Sequence, residues 1–266
     1  MDAHQFSRRQ NEIVALLRSS GRVGVDELAA HFEVSPQTIR RDLNEMSEAR
    51  VITRVHGGAI VAFSVENLAY DARKLVAQQQ KRLIGEAAAK LIPDHSSLFI
   101  NIGTTTEEVA RALATRSGLL VITNNLNVAA ELYRNRALDV IITGGSVRST
   151  DGGIVGATTV ELIRQFRVDT AVIGISAIAQ VGSLLDFDVR EVHVSRAIIQ
   201  NARRVILVTD SSKFSRSAPA LLATLADIDI LVTDHLPSPA MAELCRMHDV
   251  TVVETGGPEE GDPASG

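Results

Sequence analysis

The chain has 266 residues, 45% hydrophobic and 22% charged, which suits two ordinary domains or one large one with a buried core. A net charge of −5 argues against coating nucleic acid or membranes by bulk charge, though a local basic patch remains compatible with it. The single cysteine, Cys245, excludes an intrachain disulfide and a cysteine-based zinc cage; with no signal-peptide core and no membrane-length apolar run, a cytoplasmic location without membrane contact is expected.

Residues 1–60 hold eight Arg, no Lys and eight acidic side chains, whereas 61–266 carry 19 basic and 24 acidic ones. A first helix is predicted over about Phe6–Ser19, with Phe6, Ile13, Leu16 and Leu17 on one face and Gly21 closing it. A second covers about Val25–Phe32, with Asp26 and Glu27 in the first turn, where acids suit the helix dipole. After the turn Glu33-Val34, Ser35 is a good N-cap and Pro36 suits the first position of a third helix, about Pro36–Ser47. Its inner face is Ile39, Leu43 and Met46; its outer face is Gln37, Thr38, Arg40, Arg41 and Asn44. Val51–Val55 alternates like a strand, His56-Gly57-Gly58 supplies a turn, and Ala59–Val61 returns.

Two helices, a tight turn, a capped third helix and a β-wing make a winged helix-turn-helix pattern. A helix fits the major groove, with its N-terminal residues against base edges. The candidate DNA contacts are Ser35, Gln37, Thr38, Arg40, Arg41 and Asn44 on the third helix, with Arg54 and His56 on the wing. The pattern alone also fits a small protein-interaction domain with a solvated arginine face. With no Trp and 3% aromatics, stacking on single strands is not expected.

The stretch from Arg9 through Ala59, with Val34-Ser35-Pro36-Gln37-Thr38-Ile39-Arg40-Arg41-Asp42-Leu43 and then His56-Gly57-Gly58-Ala59, resembles the N-terminal domain of DeoR-type bacterial transcription regulators. The resemblance implies recognition of double-stranded operator DNA by the third helix, with residues 22–41 as the helix-turn-helix.

Beyond residue 61 a long helix is predicted from Tyr70 to Leu91, with Leu83, Ile84, Ala87, Ala88 and Leu91 on one side and Pro93 stopping it. Strands follow at Leu98–Ile102, Leu119–Ile122, Leu138–Ile142, Val168–Ile173, Val205–Val208, Ile228–Val232 and Thr251–Val253, most separated by helical segments. That alternation predicts an α/β domain with a largely parallel sheet. The expected division is 1–61 for the DNA-binding domain, 62–92 for a linker helix region, 93–254 for the α/β domain, and a disordered Gly-, Pro- and Glu-rich tail at 255–266.

The strand ends are Gly103-Thr104-Thr105, Thr123-Asn124-Asn125, Thr143-Gly144-Gly145, Gly174 with Ser176, Thr209-Asp210 and Thr233-Asp234. Open α/β sheets bind ligands beyond the carboxyl ends of their strands. Gly103-Thr104-Thr105 opens a helix, whose free N–H groups suit an anion, and Arg148 and Lys213 are candidate phosphate partners. Each turn alone also reads as an ordinary cap; six polar ends in one domain favour a pocket. Asp186, Asp188, Glu191, Asp210 and Lys213 form an acidic cluster with a lysine, suited to contacting a polar ligand or to taking a proton beside a carbonyl. Phosphate-loop, dinucleotide, zinc-protease and serine-hydrolase motifs are missing and the seven histidines lack metal-ligand spacing, so no cofactor or metal is expected.

Ile102-Gly103-Thr104-Thr105, Ile122-Thr123-Asn124-Asn125-Leu126-Asn127-Val128-Ala129, Gly144-Gly145 with Val147-Arg148, Asp151-Gly152-Gly153-Ile154-Val155-Gly156, Gly182 to Asp188 with Glu191-Val192, and Asp210-Ser211-Ser212-Lys213-Phe214 are similar to DeoR-type sensor domains. The likeness runs over about residues 5–235. It implies a sensor shaped like ribose-5-phosphate isomerase that binds a phosphorylated small molecule, in a homo-oligomeric repressor, dimer or tetramer, released from DNA by that effector. By the resemblance, Gly103, Thr104, Thr105, Asn124, Asn125, Gly144, Gly145 and Arg148 line the pocket and Asp188, Glu191 and Lys213 close it. It favours sn-glycerol 3-phosphate as effector and a regulator rather than an enzyme. The alternatives are a repressor sensing a phosphorylated sugar, and a sugar-phosphate isomerase with a DNA-binding appendage that uses Asp188, Glu191 and Lys213. One departure stands at Asn101, where the family often has Asp; a neutral amide can bind a hydroxyl but supplies no charge.

Overall fold

Among the described residues, three helices and three short strands build the N-terminal part. The structure, a computed structural model, describes residues 7–20, 22–48, 52–55, 58–61, 70–75 and 77–256. It divides into two units, 1–67 and 68–266. In the first, α1 (Arg8–Ser20) is followed by β1 (Arg22–Gly24), α2 (Val25–His31), α3 (Pro36–Glu48), β2 (Ile52–Val55) and β3 (Gly58–Val61). The strands form an antiparallel sheet in the order β1-β3-β2. Strand β1 escapes sequence reading because three residues carry no alternation; it is formed by pairing with β3, Val23 opposite Ala59. The helices enclose Ile13, Leu17, Leu28, Ile39, Leu43 and Met46, all buried, as the 3.6-residue spacing requires. Phe6, Gly21, Val51, the wing turn at His56-Gly57 and the tail from residue 257 lie outside the described residues.

The second unit opens with α4 (Tyr70–Leu75) and α5 (Gln78–Lys90). The single helix expected from Tyr70 to Leu91 is therefore two. Ala77 between them sits at φ 53°, in the left-handed region, and turns the chain. The apolar face survives on α5, where Ile84 and Ala88 are buried. Along the chain there follow β4 (Ser97–Ile100), α6 (Thr104–Leu113), β5 (Leu120–Thr123), α7 (Leu126–Leu132), β6 (Asp139–Ile142), β7 (Ser146–Val147), β8 (Ile154–Val155), α8 (Ala157–Arg164) and β9 (Val168–Ile173). The unit closes with β10 (Ala177–Ile178), β11 (Ser183–Asp186), α9 (Val189–Gln200), β12 (Ala202–Val208), β13 (Ala220–Thr224), β14 (Ile230–Thr233), α10 (Pro239–Met247) and β15 (Thr251–Glu254).

Seven of these strands form a parallel sheet in the order β15-β14-β12-β9-β4-β5-β6. They are the seven expected strands, with ends that differ from expectation by up to three residues. One face packs on Ile84, Val109, Leu113, Val128 and Leu132 from α5, α6 and α7. The other packs on Ile163, Val192, Ala197 and Cys245 from α8, α9 and α10. Both faces are covered, which is why these strands read as unbroken apolar runs. The small antiparallel sheet β10-β11-β13 and the β7-β8 pair were not expected. From β4 the order runs to β5 and β6 on one side and to β9, β12, β14 and β15 on the other. The crevice beyond the ends of β4 and β9 is thus the topological switch point, where open α/β sheets take their ligands.

Candidate functional site

Each unit presents a candidate surface. In the first, Ser35 Oγ accepts the Thr38 N–H at 3.2 Å and so caps α3. Gln37, Arg40, Arg41 and Asn44 are exposed along α3, as expected, and Thr38 is half-buried. Arg41 pairs with Glu45 one turn on (3.2 Å), an exposed pair that a phosphate can displace at little cost. Behind this face Arg9 grips the buried carboxylate of Asp42 through two bonds of 2.6 and 3.2 Å, tying α1 to α3. Arg54 lies in β2, and His56 falls outside the described residues.

In the second unit a small cavity of about 30 Å³ opens at the switch point. Ile102, Gly103, Thr104 and Thr105 line it from beyond β4, and Gly174, Ile175 and Ser176 from beyond β9. Arg73, Asp186, Glu191 and Lys213 complete the wall. Gly103 stands at φ 156° before α6, and a side chain there would crowd Thr106 Oγ1 at 3.2 Å. The first N–H groups of α6 have no acceptor inside the helix and give this wall a positive end.

Of the expected site residues, Gly103, Thr104, Thr105, Glu191 and Lys213 converge on the cavity; the other expected ligand contacts do not line it. Asn124 donates to the Ile154 carbonyl (3.0 Å). Asn125 caps α7 through the Asn127 N–H (2.9 Å) and donates to Glu107 (3.3 Å). The Gly144 carbonyl accepts from Thr159 (2.8 Å), and Gly145 packs against the same Thr159. Arg148 meets Asp151 at 2.6 Å, Glu191 at 2.7 Å and Asp188 at 3.1 Å. Its guanidinium is taken up by three carboxylates, so it organises the acidic wall rather than offering a free charge to a phosphate. Asp188 also caps α9 and binds Arg190 (2.8 Å).

Several participants were missed or left unassigned. Gly174, Ser176 and Asp186 stood out as polar strand-end or acidic positions without being placed in the pocket. Arg73, from α4, has no signal in the sequence. Lys81 did have one: it falls on the apolar side of α5, one turn before Ile84 and Gly85, and is only 3% exposed. Its ammonium donates to the Arg73 carbonyl. Asn101, 1% exposed, accepts the Gly174 N–H (2.9 Å) and donates to Ser195 (3.2 Å). It pins the ends of β4 and β9 together, with each amide atom engaged in one bond of the fold.

The electrostatics are those of a buried, mixed-charge site. Burial, with Arg216 and Lys81 nearby, lowers Lys213 to about 7. Burial likewise brings Lys81 to about 8. Asp210 stays below its ordinary value: burial pushes it up, but Lys213 and Lys81 outweigh that. On the acidic wall, burial and then the neighbouring Asp186 raise Glu191 to about 8, and burial raises Asp186 although it accepts from the Phe187 N–H and Ser176. Asp188 drops to about 2, chiefly through Arg190. Cations and free helix N–H groups thus share one cavity with two carboxyls whose hold on a proton is strengthened. The first suit an anion and the second suit hydroxyl groups. Among the described residues no cluster of His, Cys, Asp and Glu could hold a metal ion, and no helix is long and apolar enough to cross a membrane.

Comparison with known proteins covers both units. The sequence profile of the DeoR-like helix-turn-helix domain matches residues 9–65, and that of the DeoR C terminal sensor domain matches residues 76–235. A glycerol-3-phosphate regulon repressor from Escherichia coli is 45% identical over 92% of this chain and 97% of its own length. One from Haemophilus influenzae is 49% identical over 87% of this chain and 90% of its own. Among solved structures, ribose 5-phosphate isomerase A of Methanocaldococcus jannaschii is 14% identical, with a TM-score of 0.40 over 53% of this chain and 56% of that one.

Proposed function

This chain belongs to the DeoR family of helix-turn-helix transcription regulators, and from that premise we propose that it is an operator-binding repressor released by sn-glycerol 3-phosphate. The observation that carries the effector is the cavity's chemistry. Lys213, Arg73 and the N–H groups of α6 suit a phosphate dianion, and Asp186 and Glu191 suit the hydroxyls of a short polyol. The names of the two relatives point the same way. A sensor is favoured over an isomerase because both relatives carry the name of a repressor.

On this reading α3 enters the major groove. The near-neutral DNA-binding unit then needs two copies side by side on DNA, so the working form is a symmetric homo-oligomer, dimer or tetramer. The test is a mobility-shift titration on DNA fragments selected by the protein from random sequence. sn-Glycerol 3-phosphate should release the fragment, while glycerol and inorganic phosphate should require far higher concentrations. Arg40→Ala and Arg41→Ala should each weaken binding without lowering the melting temperature, and each should reduce the slope of log affinity against log salt by about 1. Release by glycerol alone, retention at every concentration of the phosphate ester, or wild-type binding by both arginine variants would overturn the reading.

A further inference from the structure

One edge of the parallel sheet is left open. Strand β6 pairs with β5 and has no second strand beside it among the described residues. Asp139 and Thr143 give their N–H groups to β5, so the alternation of the ladder turns the backbone of Val140 and Ile142 outward. An edge of this kind recruits another strand unless charge or proline blunts it. The opposite edge, β15, is polar at both of its exposed positions, Thr251 and Glu254. At β6 the exposed positions are Asp139 and the apolar Ile142.

Helix α7 packs on the same strands through Val128 and Leu132. It carries a second apolar stripe, Leu126, Ala130 and its C-cap Tyr133, at helical spacing and all exposed. Among the described residues eight large apolar side chains are exposed. Four of them, Leu126, Tyr133, Ile142 and Val147, fall between α7 and β7, a concentration that marks an interaction surface. The exposed charges beside the stripe, Glu131, Arg134, Arg136 and Asp139, sum to zero, so this surface does not repel its own copy. The groove between α8 and α9 would: Arg164, Arg190, His193 and Arg196 surround a single acid there, Glu161.

We propose that the face formed by α7 and β6 is where a second copy of this chain docks, across a two-fold axis. The proposal rests on the reading above that the working form is a symmetric homo-oligomer. An axis perpendicular to the sheet sets β6 antiparallel to its copy, and Val140 and Ile142 then pair with Ile142 and Val140 of the second copy, closing the open edge. Both α7 helices lie on the same side of the joined sheet and also run antiparallel. Ala130 meets Ala130 at the axis, and Leu126 lies beside Tyr133 of the second copy. A stripe that runs large, small, large is complementary to its own two-fold image. Arg134 lies over the Tyr133 ring, 5.7 Å from its centroid, and aromatic and arginine side chains are those that interface centres favour.

The experiment is sedimentation velocity of the full-length protein at micromolar concentration, joined to thiol cross-linking. The wild type should sediment as a dimer or tetramer. Ala130→Glu and Tyr133→Asp should each halve that mass, raising the dissociation constant of the contact about 30-fold or more. Arg164→Glu, in the α8–α9 groove, should leave the mass unchanged. Ala130→Cys adds an exposed thiol to a chain whose own Cys245 is buried, and a short bismaleimide should join two chains through it; this variant decides the matter if the charged ones do not fold. A wild type that sediments as a monomer would overturn the homo-oligomer and this interface together. An oligomer that keeps its mass in both charged variants and gives no cross-link through Ala130→Cys, or that dissociates only in Arg164→Glu, would place the contact elsewhere and leave the repressor reading standing.

Discussion

Replacing Arg148 with Met removes the charge that three carboxylates share while keeping a long side chain in its place. Asp151 is 1% exposed in its side chain, Glu191 12% and Arg148 12%, so solvent cannot replace the lost partner. Asp151 keeps Arg73 at 3.2 Å and the Gly153 N–H; Asp188 keeps Arg190; Glu191 loses its 2.7 Å ion pair. Breaking a buried pair from one side costs about 3–5 kcal/mol. For a domain of this size that is a fall of roughly 6–20 °C in melting temperature. Without Arg148 the buried carboxylates hold their protons to higher pH in the fold than in the unfolded chain. The folded state then binds more protons, and stability falls as pH rises above the ordinary carboxylate range. Thermal unfolding followed by circular dichroism between pH 6 and 10 should show the gap between wild type and Arg148→Met widening above about pH 8, where wild-type Glu191 gives up its proton. A loss under 2 °C, or one that is constant across that range, would refute the view of Arg148 as a buried counter-charge.

Lys213, lowered to about 7 by burial and its cationic neighbours, must be protonated to hold a phosphate dianion. Effector affinity should therefore fall above pH 7 by up to about tenfold per pH unit, and also below about pH 6 as the phosphate takes its second proton. Titrations from pH 5 to 9 should show both limbs, and Lys213→Met should lose the alkaline one. Gly85→Ala sets helix propensity against packing. The new Cβ would lie 2.6 Å from the Glu108 carbonyl carbon, where α5 and α6 meet backbone to backbone. A loss of about 1–3 kcal/mol is expected instead of the gain of about 1 kcal/mol that propensity alone implies; a stabilised variant in a melting experiment would sink the argument.

Local physics made much of this protein legible from its residues. Ser35-Pro36 starts α3, the spacing of Ile39, Leu43 and Met46 sets its buried face, and the arginines fall outside it. The apolar runs of the parallel sheet declare strands because both of their faces are covered, and Gly103-Thr104-Thr105 marks the turn into α6 at the switch point. What stayed hidden depends on groups far apart in sequence. Strands β1, β10, β11 and β13 are short and exist through pairing, and the break at Ala77 follows from where α4 finds its partners. Arg148 read as a phosphate ligand because its own neighbourhood shows no acid until Asp151; the carboxylates that complete its shell, Asp188 and Glu191, arrive 40 and more residues later. Asn101 likewise looks free for a ligand until the fold sets Gly174 and Ser195 against it. Residue type and spacing determine which elements form and which way they face, because those energies act within a turn or a strand. Whether a charged group is available to a ligand depends on which opposite charges the tertiary fold buries beside it.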